Sequence, residues 1–479
     1  MNRNSRLDRS VLHMARFVLE AESAFSIASG LSDGTFDNLV VRDANGLPAI
    51  PGTTIAGVLR HRLHAEKGKK YTDSLFGYQK ENRNEGQASS LEVSWGVIHD
   101  SSNRPVERLQ ERIDDHILQK LAEDHPIFRD RVRLTHRGTA AYQGKFDRTV
   151  LPRGCRFSVE MRLWAAEKRP QQWQDLLALL KAPLLLGGST RSGLGRFSCI
   201  RMAEKIFDLS KPDDHEQLQQ TGPGLADLTG WKILWTMRQP VTADLTVELE
   251  AEDFWRFGQG GVPLKGSGKA PDALPYTEPV ITWEGDRAGF NSRCVVVPGS
   301  AVRGAFRHRF LFHYSRLLLG KDGLQDTDWQ QARQACDALF GHAADTEDGK
   351  TRGRAGALFF SDLYLDVDAV GRAAKHLTHS SVDRFTGGVR QGALFMEELL
   401  WNCSLRLEIN LQNMAPAELP DMRKAGIAFQ WVLDDLAAGR LALGAASAKG
   451  HGYFRGKVEW HHSPEWLQHA GKEENKEAA

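Results

Sequence analysis

Three blocks of sequence occur twice in the same order, and that duplication limits the fold more than any other feature. IPGTTIAGVLRHRL (50–63) returns as VPGSAVRGAFRHRF (297–310). Asp73, Leu75, Phe76 and Gly77 return as Asp337, Leu339, Phe340 and Gly341. LLGGSTRSGLGRFSCI (185–200) returns as ALGAASAKGHGYFRGK (442–457). The offset drifts slowly along the chain, as loop insertions between two copies of one domain would make it. The polar stretch DLSKPDDHEQLQQTGPGLAD (208–227) lacks helical or strand periodicity and reads as the connection. The expected division is unit 1 at 1–207, a linker at 208–229, unit 2 at 230–460 and a flexible polar tail at 461–479.

Each half carries the same order of patterns. ARFVLEAESAF and WKILWTMRQPV read as opening strands. After each Pro-Gly, Thr53 to Leu63 and Ser300 to Phe310 have apolar positions at helical spacing, with Thr53 and Ser300 as expected caps. CRFSVEMRL, CSLRLEINL and ALFFSDLYLDV alternate like strands, and PQQWQDLLALLKAPL and AGIAFQWVLDDLAAG read as amphipathic helices. Strand, helix, strand, strand, helix, strand is the split βαβ order of a ferredoxin-like α+β fold.

Composition narrows the setting. The net charge of +1 over 479 residues hides any local basic surface. Five scattered cysteines without CxxC spacing indicate neither a zinc site nor a disulfide framework, which suits a reducing cytoplasm. No signal peptide and no apolar membrane span is legible. GQGGVPLKGSGKAP (258–271) lacks Walker spacing, so nucleotide hydrolysis is not expected.

Several residues carry chemistry of their own. Gly193 and Gly195, with Arg191 and Arg196, and Gly450 and Gly452, with Lys449 and Arg455, suit close backbone approach to phosphates; a tight turn into a last strand is the plain alternative. The helix starts at Thr53, Thr54 and Ser300 suit phosphate in the same way, with ordinary capping as the alternative. Cys155 and Cys403 stand at equivalent strand starts and read as buried apolar residues.

Taken together, these blocks resemble the RAMP superfamily, and each half resembles its Cas7-type members, the repeated backbone subunits of CRISPR effectors of type III. The Pro-Gly stretches resemble the family's Ile-Pro-Gly-Ser-Ser motif, and DRFTGGVRQGALFMEELL (383–400) resembles its β-hairpin thumb. Two units in one chain resemble the double-Cas7 subunits of type III-D-like systems. The resemblance implies two ferredoxin-like (RRM-like) palms with inserted thumbs. It also implies a CRISPR RNA guide, target RNA and Cas10-, Cas5-, Cas7- and Cas11-like subunits as partners. Arg60, Arg303 and Arg307 are expected on the guide. Arg384 and Phe385 are expected at the second thumb, with Tyr142 and Phe146 standing in for them in the first.

The matching catalytic position is Asp37, in SGLSDGTFDNLVV, with Asp33 as backup and Mg2+ or Mn2+ as the expected metal. Asp43 and Glu284 read as structural. Glu278, before Pro279-Val280, reads as the altered counterpart of Asp37, so the first unit is expected to cut and the second to be weak or silent. Two alternatives stand beside an endoribonuclease: a binding-only structural subunit, and a metal-independent guide-processing ribonuclease using a histidine such as His136 or its counterpart His379.

Overall fold

The computed structural model describes residues 9–30, 39–80, 85–123, 127–135, 139–168, 170–258, 260–265, 270–321, 323–342, 353–412, 414 and 418–468. Its contacts divide the chain into two compact units, neither a contiguous half. Unit 1 is Met1–Thr190, Leu194–Val241 and Val280–Ser292; unit 2 is Arg191–Gly193, Thr242–Pro279 and Arg293–Ala479.

Unit 1 runs β1 (Val11–Ala21), α1 (Gly52–Lys67), α2 (Lys69–Phe76), β2 (Leu91–Val93), β3 (Gly96–Ile98), β4 (Ile127–Leu134), β5 (Ala140–Val150), β6 (Arg156–Ala165), α3 (Gln171–Leu179), β7 (Arg196–Asp208) and α4 (Pro212–Gln220). The central sheet has the order β7-β1-β6-β3, antiparallel throughout, with β2 also on β6. That is the fourth-first-third-second order of a ferredoxin-like sheet, and among the described residues β4 and β5 pair only with each other, as an inserted hairpin. Ile55, Leu59 and Leu63 of α1 and Trp173 and Leu176 of α3 are fully buried with Phe17, Phe157 and Phe197, as helical and strand spacing require.

Unit 2 repeats the plan with β8 (Leu245–Ala251), α5 (Gly299–Leu318), α6 (Asp326–Phe340), β9 (Leu358–Ser361), β10 (Ala374–His379), β11 (Phe395–Trp401), β12 (Ser404–Leu411), α7 (Met422–Ala437) and β13 (Phe454–Trp460). Its sheet order β9-β12-β8-β13 is again antiparallel. The two-residue strand Ser192–Gly193 lies parallel against β9, and β10 and β11 form the second hairpin.

Three expectations need correction. The opening strand of unit 2 is β8, LTVELEA, not the stretch beginning at Trp231. Lys232–Trp235 is a half-exposed strand on β7, whereas β8 is buried at five of its seven residues, as a central strand must be. The stretch 208–229 is not a free linker. It contains α4, and the buried Arg16 side chain straps its end to unit 1 by donating to Gly224 O and Asp227 O at 2.6 Å each and to Gly222 O at 2.9 Å. The chain beyond residue 460 is not a polar tail throughout, because Trp466 and Leu467 are buried in the core of unit 2.

Candidate nucleic-acid interface

Both Pro-Gly helices begin against a strand. A Cβ on Gly52 would lie 2.2 Å from Val93 O, and one on Gly299 would lie 2.4 Å from Phe360 O, so only glycine lets the helix start so close. Neither helix has a side-chain cap from Thr53 or Ser300; each begins at its glycine, after Pro51 or Pro298. Thr53 is exposed, while Thr54 and Ser300 are half-buried. The first N–H of α5 donates to Asp362 Oδ1 at 2.7 Å, so a carboxylate of the protein already stands where a phosphate was expected.

The duplicated cations largely serve the fold. Arg60 donates to Asp73 at 2.7 Å and Arg307 to Asp337 at 2.9 Å, joining first and second helices in each unit. Asp73 is held below the usual carboxylate range by a hydrogen bond from Lys69, with Arg60 adding to it. Arg62 donates to Pro183 O and Arg303 to Phe340 O, and burial lowers the pKa of both guanidiniums.

The glycine-rich loops are shaped mainly by protein contacts. Arg191 donates to Gly356 O and lies over the Phe359 ring at 4.6 Å. Gly193 has φ +97°, and a Cβ there would fall 1.8 Å from Asp362 Oδ1. A Cβ on Gly195 or Gly452 would lie 2.1 Å from Leu186 O or Leu443 O, and Arg196 pairs with Glu22 at 2.5 Å. Lys449 donates to buried Glu397 at 2.7 Å and lies 4.6 Å from the centre of Phe395. Burial alone would raise the pKa of Glu397, but Lys449 outweighs it and holds the carboxyl below its usual range. Gly450, by contrast, faces open space.

The second hairpin has a pinned and apolar tip. Asp383 Oδ1 accepts from Phe385 N at 3.0 Å and from Thr386 N at 2.9 Å, and Gly387 N donates to Asp383 O at 2.9 Å. This turn holds Phe385 fully in solvent, with Val382, Val389 and Leu394 more than half exposed and Arg384 beside them. The first hairpin exposes Tyr142 at 88% and Phe146 at 43%, so neither is core. At the foot of the second hairpin, His379 stacks on Phe395 with ring centres 4.9 Å apart and stands 3.9 Å from Glu397. His136 lies outside the described residues.

Asp33 and Asp37 also lie outside the described residues. Val41 N donates to Ile27 O at 2.9 Å, and Ala49 N to Val41 O at 3.2 Å. In unit 2, Tyr276 N donates to Phe257 O and Val296 N to Tyr276 O, both at 3.0 Å. Tyr276 is therefore the counterpart of Val41. In the sequence, Asp272 stands four residues before Tyr276 as Asp37 stands four before Val41. The missed signal is short: Asp37-Asn38-Leu39 returns as Asp272-Ala273-Leu274.

Glu278 is the counterpart of Asp43 instead. Asp43 closes a local turn by accepting from Asn45 N and Leu47 N. Glu278 is 1% exposed and accepts from the Tyr276 hydroxyl at 2.6 Å and the Tyr364 hydroxyl at 3.4 Å. Asp272 is exposed, and its backbone and one carboxylate oxygen bond Met396 of β11 at 2.8 Å each, which fixes it at the foot of the second hairpin. Among the described residues no group of three or more His, Cys, Asp or Glu is placed to hold a metal ion, and no helix is long and apolar enough to cross a membrane.

The sequence profile of the RAMP superfamily matches residues 18–198 and 249–455, one span in each repeat. No curated protein matches the sequence. Solved structures similar to the chain include the apo state of a type III-B Cmr-beta assembly, at 12% identity over 39% of this chain and 96% of the other, with a TM-score of 0.30. Another is type III-B Cmr-beta bound to cognate target RNA, at 13% identity over 43% of this chain and 63% of the other, with a TM-score of 0.28.

Proposed function

The chain belongs to the RAMP superfamily, and on that premise we propose that it is a double backbone subunit of a type III CRISPR effector, binding a guide RNA and cutting target RNA paired along it. The observation that carries this reading is one arrangement in unit 2. An exposed carboxylate, Asp272, is bonded to the base strand of a hairpin whose tip presents a fully exposed Phe385. An aromatic wedge of that kind unstacks a base and bends the backbone beside it. RNA cleavage by its own 2′-OH then needs that oxygen in line with phosphorus. The 2′-O–P bond forms as the P–O5′ bond breaks, the 2′ proton leaves and O5′ gains one. Asp272 in unit 2 and Asp37 in unit 1 would accept the proton or hold a hydrated Mg2+ or Mn2+, whose bound charge offsets that of the phosphorane. A single exposed carboxylate with one oxygen already bonded to a backbone N–H suits a metal that keeps most of its waters.

The test is a map of target-RNA cuts by the assembled effector. Asp37→Ala and Asp272→Ala should each remove a different cut, while Glu278→Gln removes none. Cuts that all persist in the Asp37/Asp272 double variant would leave a binding-only subunit as the reading.

A further inference from the structure

At the foot of the second hairpin one carboxylate is ringed by more donors than it engages. Glu397, on β11, is 3% exposed, and Lys449 of the second glycine-rich loop donates to its Oε1 at 2.7 Å. His379 Nε2 stands 3.9 Å from that same oxygen, and Arg256 Nη2 stands 3.9 Å from Oε2. Both contacts lie about 1 Å beyond a hydrogen bond. Glu397 Oε2, His379 Nε2, Arg256 Nε and His451 Nδ1 are all buried without a hydrogen-bond partner. Buried groups left unbonded are costly, so the cluster keeps bonding capacity in reserve around Glu397.

The fold does not need a carboxylate there. Gly188 N donates to Ser26 O as Ala445 N donates to Arg256 O, and Phe25 is bridged to Leu151 as Trp255 is paired with Leu400. Three residues before Leu151 stands Arg148, and three before Leu400 stands Glu397. Each turns toward the glycine-rich loop of its own unit. A Cβ on Gly188 would lie 2.4 Å from Arg148 Nη1, and Glu397 meets Lys449. Where unit 2 has Arg256, Lys449 and His451, unit 1 has Ser26, Ser192 and Leu194. Burial is the one cause acting on the pKa of Arg148, which it lowers; no carboxylate among the described residues faces that guanidinium. The same place holds a bare cation in unit 1 and, in unit 2, an anion that covers a cation.

Lys449 is the movable member of the cluster. Its side chain is 42% exposed, at the end of the 3-10 turn Ser447–Lys449, and nothing lies within 4 Å of where a Cβ on Gly450 would stand. Arg256, by contrast, is buried and donates to Gly258 O at 2.5 Å, and His379 is held by its stack on Phe395. The cluster also adjoins the carboxylate proposed for cleavage. Met396, the residue before Glu397, bonds Asp272, and Ala273 is bridged to Glu397 itself.

We propose that Glu397 is an internal competitor for an RNA phosphate: it holds Lys449 in the free chain and yields it to a phosphodiester of bound RNA, while Arg256 and His379 close in to replace Lys449 on the carboxylate. This rests on the RNA binding proposed above. Two anions on one ammonium repel each other, so phosphate and carboxylate compete for it. The ion pair broken on entry is subtracted from the affinity of unit 2, which grips RNA less tightly than its cations alone would allow. A carboxylate that served only the fold would have no such linkage, and its removal would leave the affinity for RNA unchanged.

The test is titration of labelled single-stranded RNA onto the full chain at several salt concentrations, with a thermal melt of each variant. Glu397→Gln should bind RNA at least about fivefold more tightly than the wild type. Adding Lys449→Met should abolish that gain and lower the slope of log affinity against log salt by about 0.7, the share of one phosphate contact on a single strand. Glu397→Asp keeps the charge that Arg256 faces but draws it one methylene back from Lys449. It should gain affinity in smaller measure, and it carries the test if Glu397→Gln fails to fold. Affinities of the folded Glu397 variants within twofold of the wild type, or a gain that persists beside Lys449→Met, overturn the proposal alone. A wild type and variants that all bind no RNA overturn the RNA reading and this proposal with it.

Discussion

Phe385→Ala separates binding from folding unusually well. The side chain is fully exposed at the tip of the hairpin, so its removal leaves no cavity. Surface changes of this kind shift stability by no more than about 0.5 kcal/mol. If the ring stacks on a base of the target, alanine removes about 1–3 kcal/mol of stacking. At about 1.4 kcal/mol per decade that is roughly a 5- to 140-fold loss of target affinity. The assay is titration of labelled target RNA onto the guide-loaded effector, beside a thermal melt of the same protein. Asp383→Ala should fall between the two, because it frees the N–H groups of Phe385 and Thr386 and lets the tip wander while keeping the ring. An affinity within twofold of wild type, with an unchanged melt, would refute the wedge. A melt lowered by several degrees would show that the ring packs on the protein.

Further outcomes follow from the buried polar groups. Arg16→Met should cost about 3–5 kcal/mol in chemical denaturation, because it leaves Glu160 short of a buried partner and unties Gly222, Gly224 and Asp227. Limited proteolysis should then cut first between residues 208 and 231. Asp435 is buried between Arg440, Arg309 and His313, which hold it at about 2 against the pull of burial. Its folded pKa is depressed, so its contribution is present above the usual carboxylate range and fades as pH falls through about 2. Asp435→Asn should therefore flatten the loss of urea stability between about pH 4 and pH 2. Iodoacetamide at pH 8 should spare Cys155, Cys199, Cys336 and Cys403, whose thiols burial pushes up, Cys199 to about 12, and should label all five cysteines in urea.

The repeated blocks made the ferredoxin order legible because they carry both periodicities. Alternation marked β6 and β12, and helical spacing after Pro-Gly marked α1 and α5. The opening strand of unit 2 was obscured by a rival apolar run at Trp231, and only burial separates a central strand from one laid on an edge. Glu278 looked like a counterpart to Asp37 because Pro279-Val280 follows it. The backbone bonds of Val41 and Tyr276 pair those two residues, and the short repeat Asp37-Asn38-Leu39 and Asp272-Ala273-Leu274 lies four residues ahead of each. The arginines were recognisable as repeated but not as engaged. A sequence shows where a guanidinium is, while its carbonyl partners at Pro183, Phe340 and Gly356 come from distant segments.

Unit 1 contains Val280–Ser292 and unit 2 contains Arg191–Gly193, so no single cut in the chain yields both units whole. A fragment ending near residue 230 would lack Trp283, whose indole donates to Gly154 O at 2.8 Å and lies 3.9 Å below the Arg156 guanidinium. A fragment beginning there would leave the edge of β9 bare. Genetic fission of this protein into two coexpressed halves would therefore demand reassembly through those exchanged segments, and fusion of the two ancestral copies is now written into the fold itself.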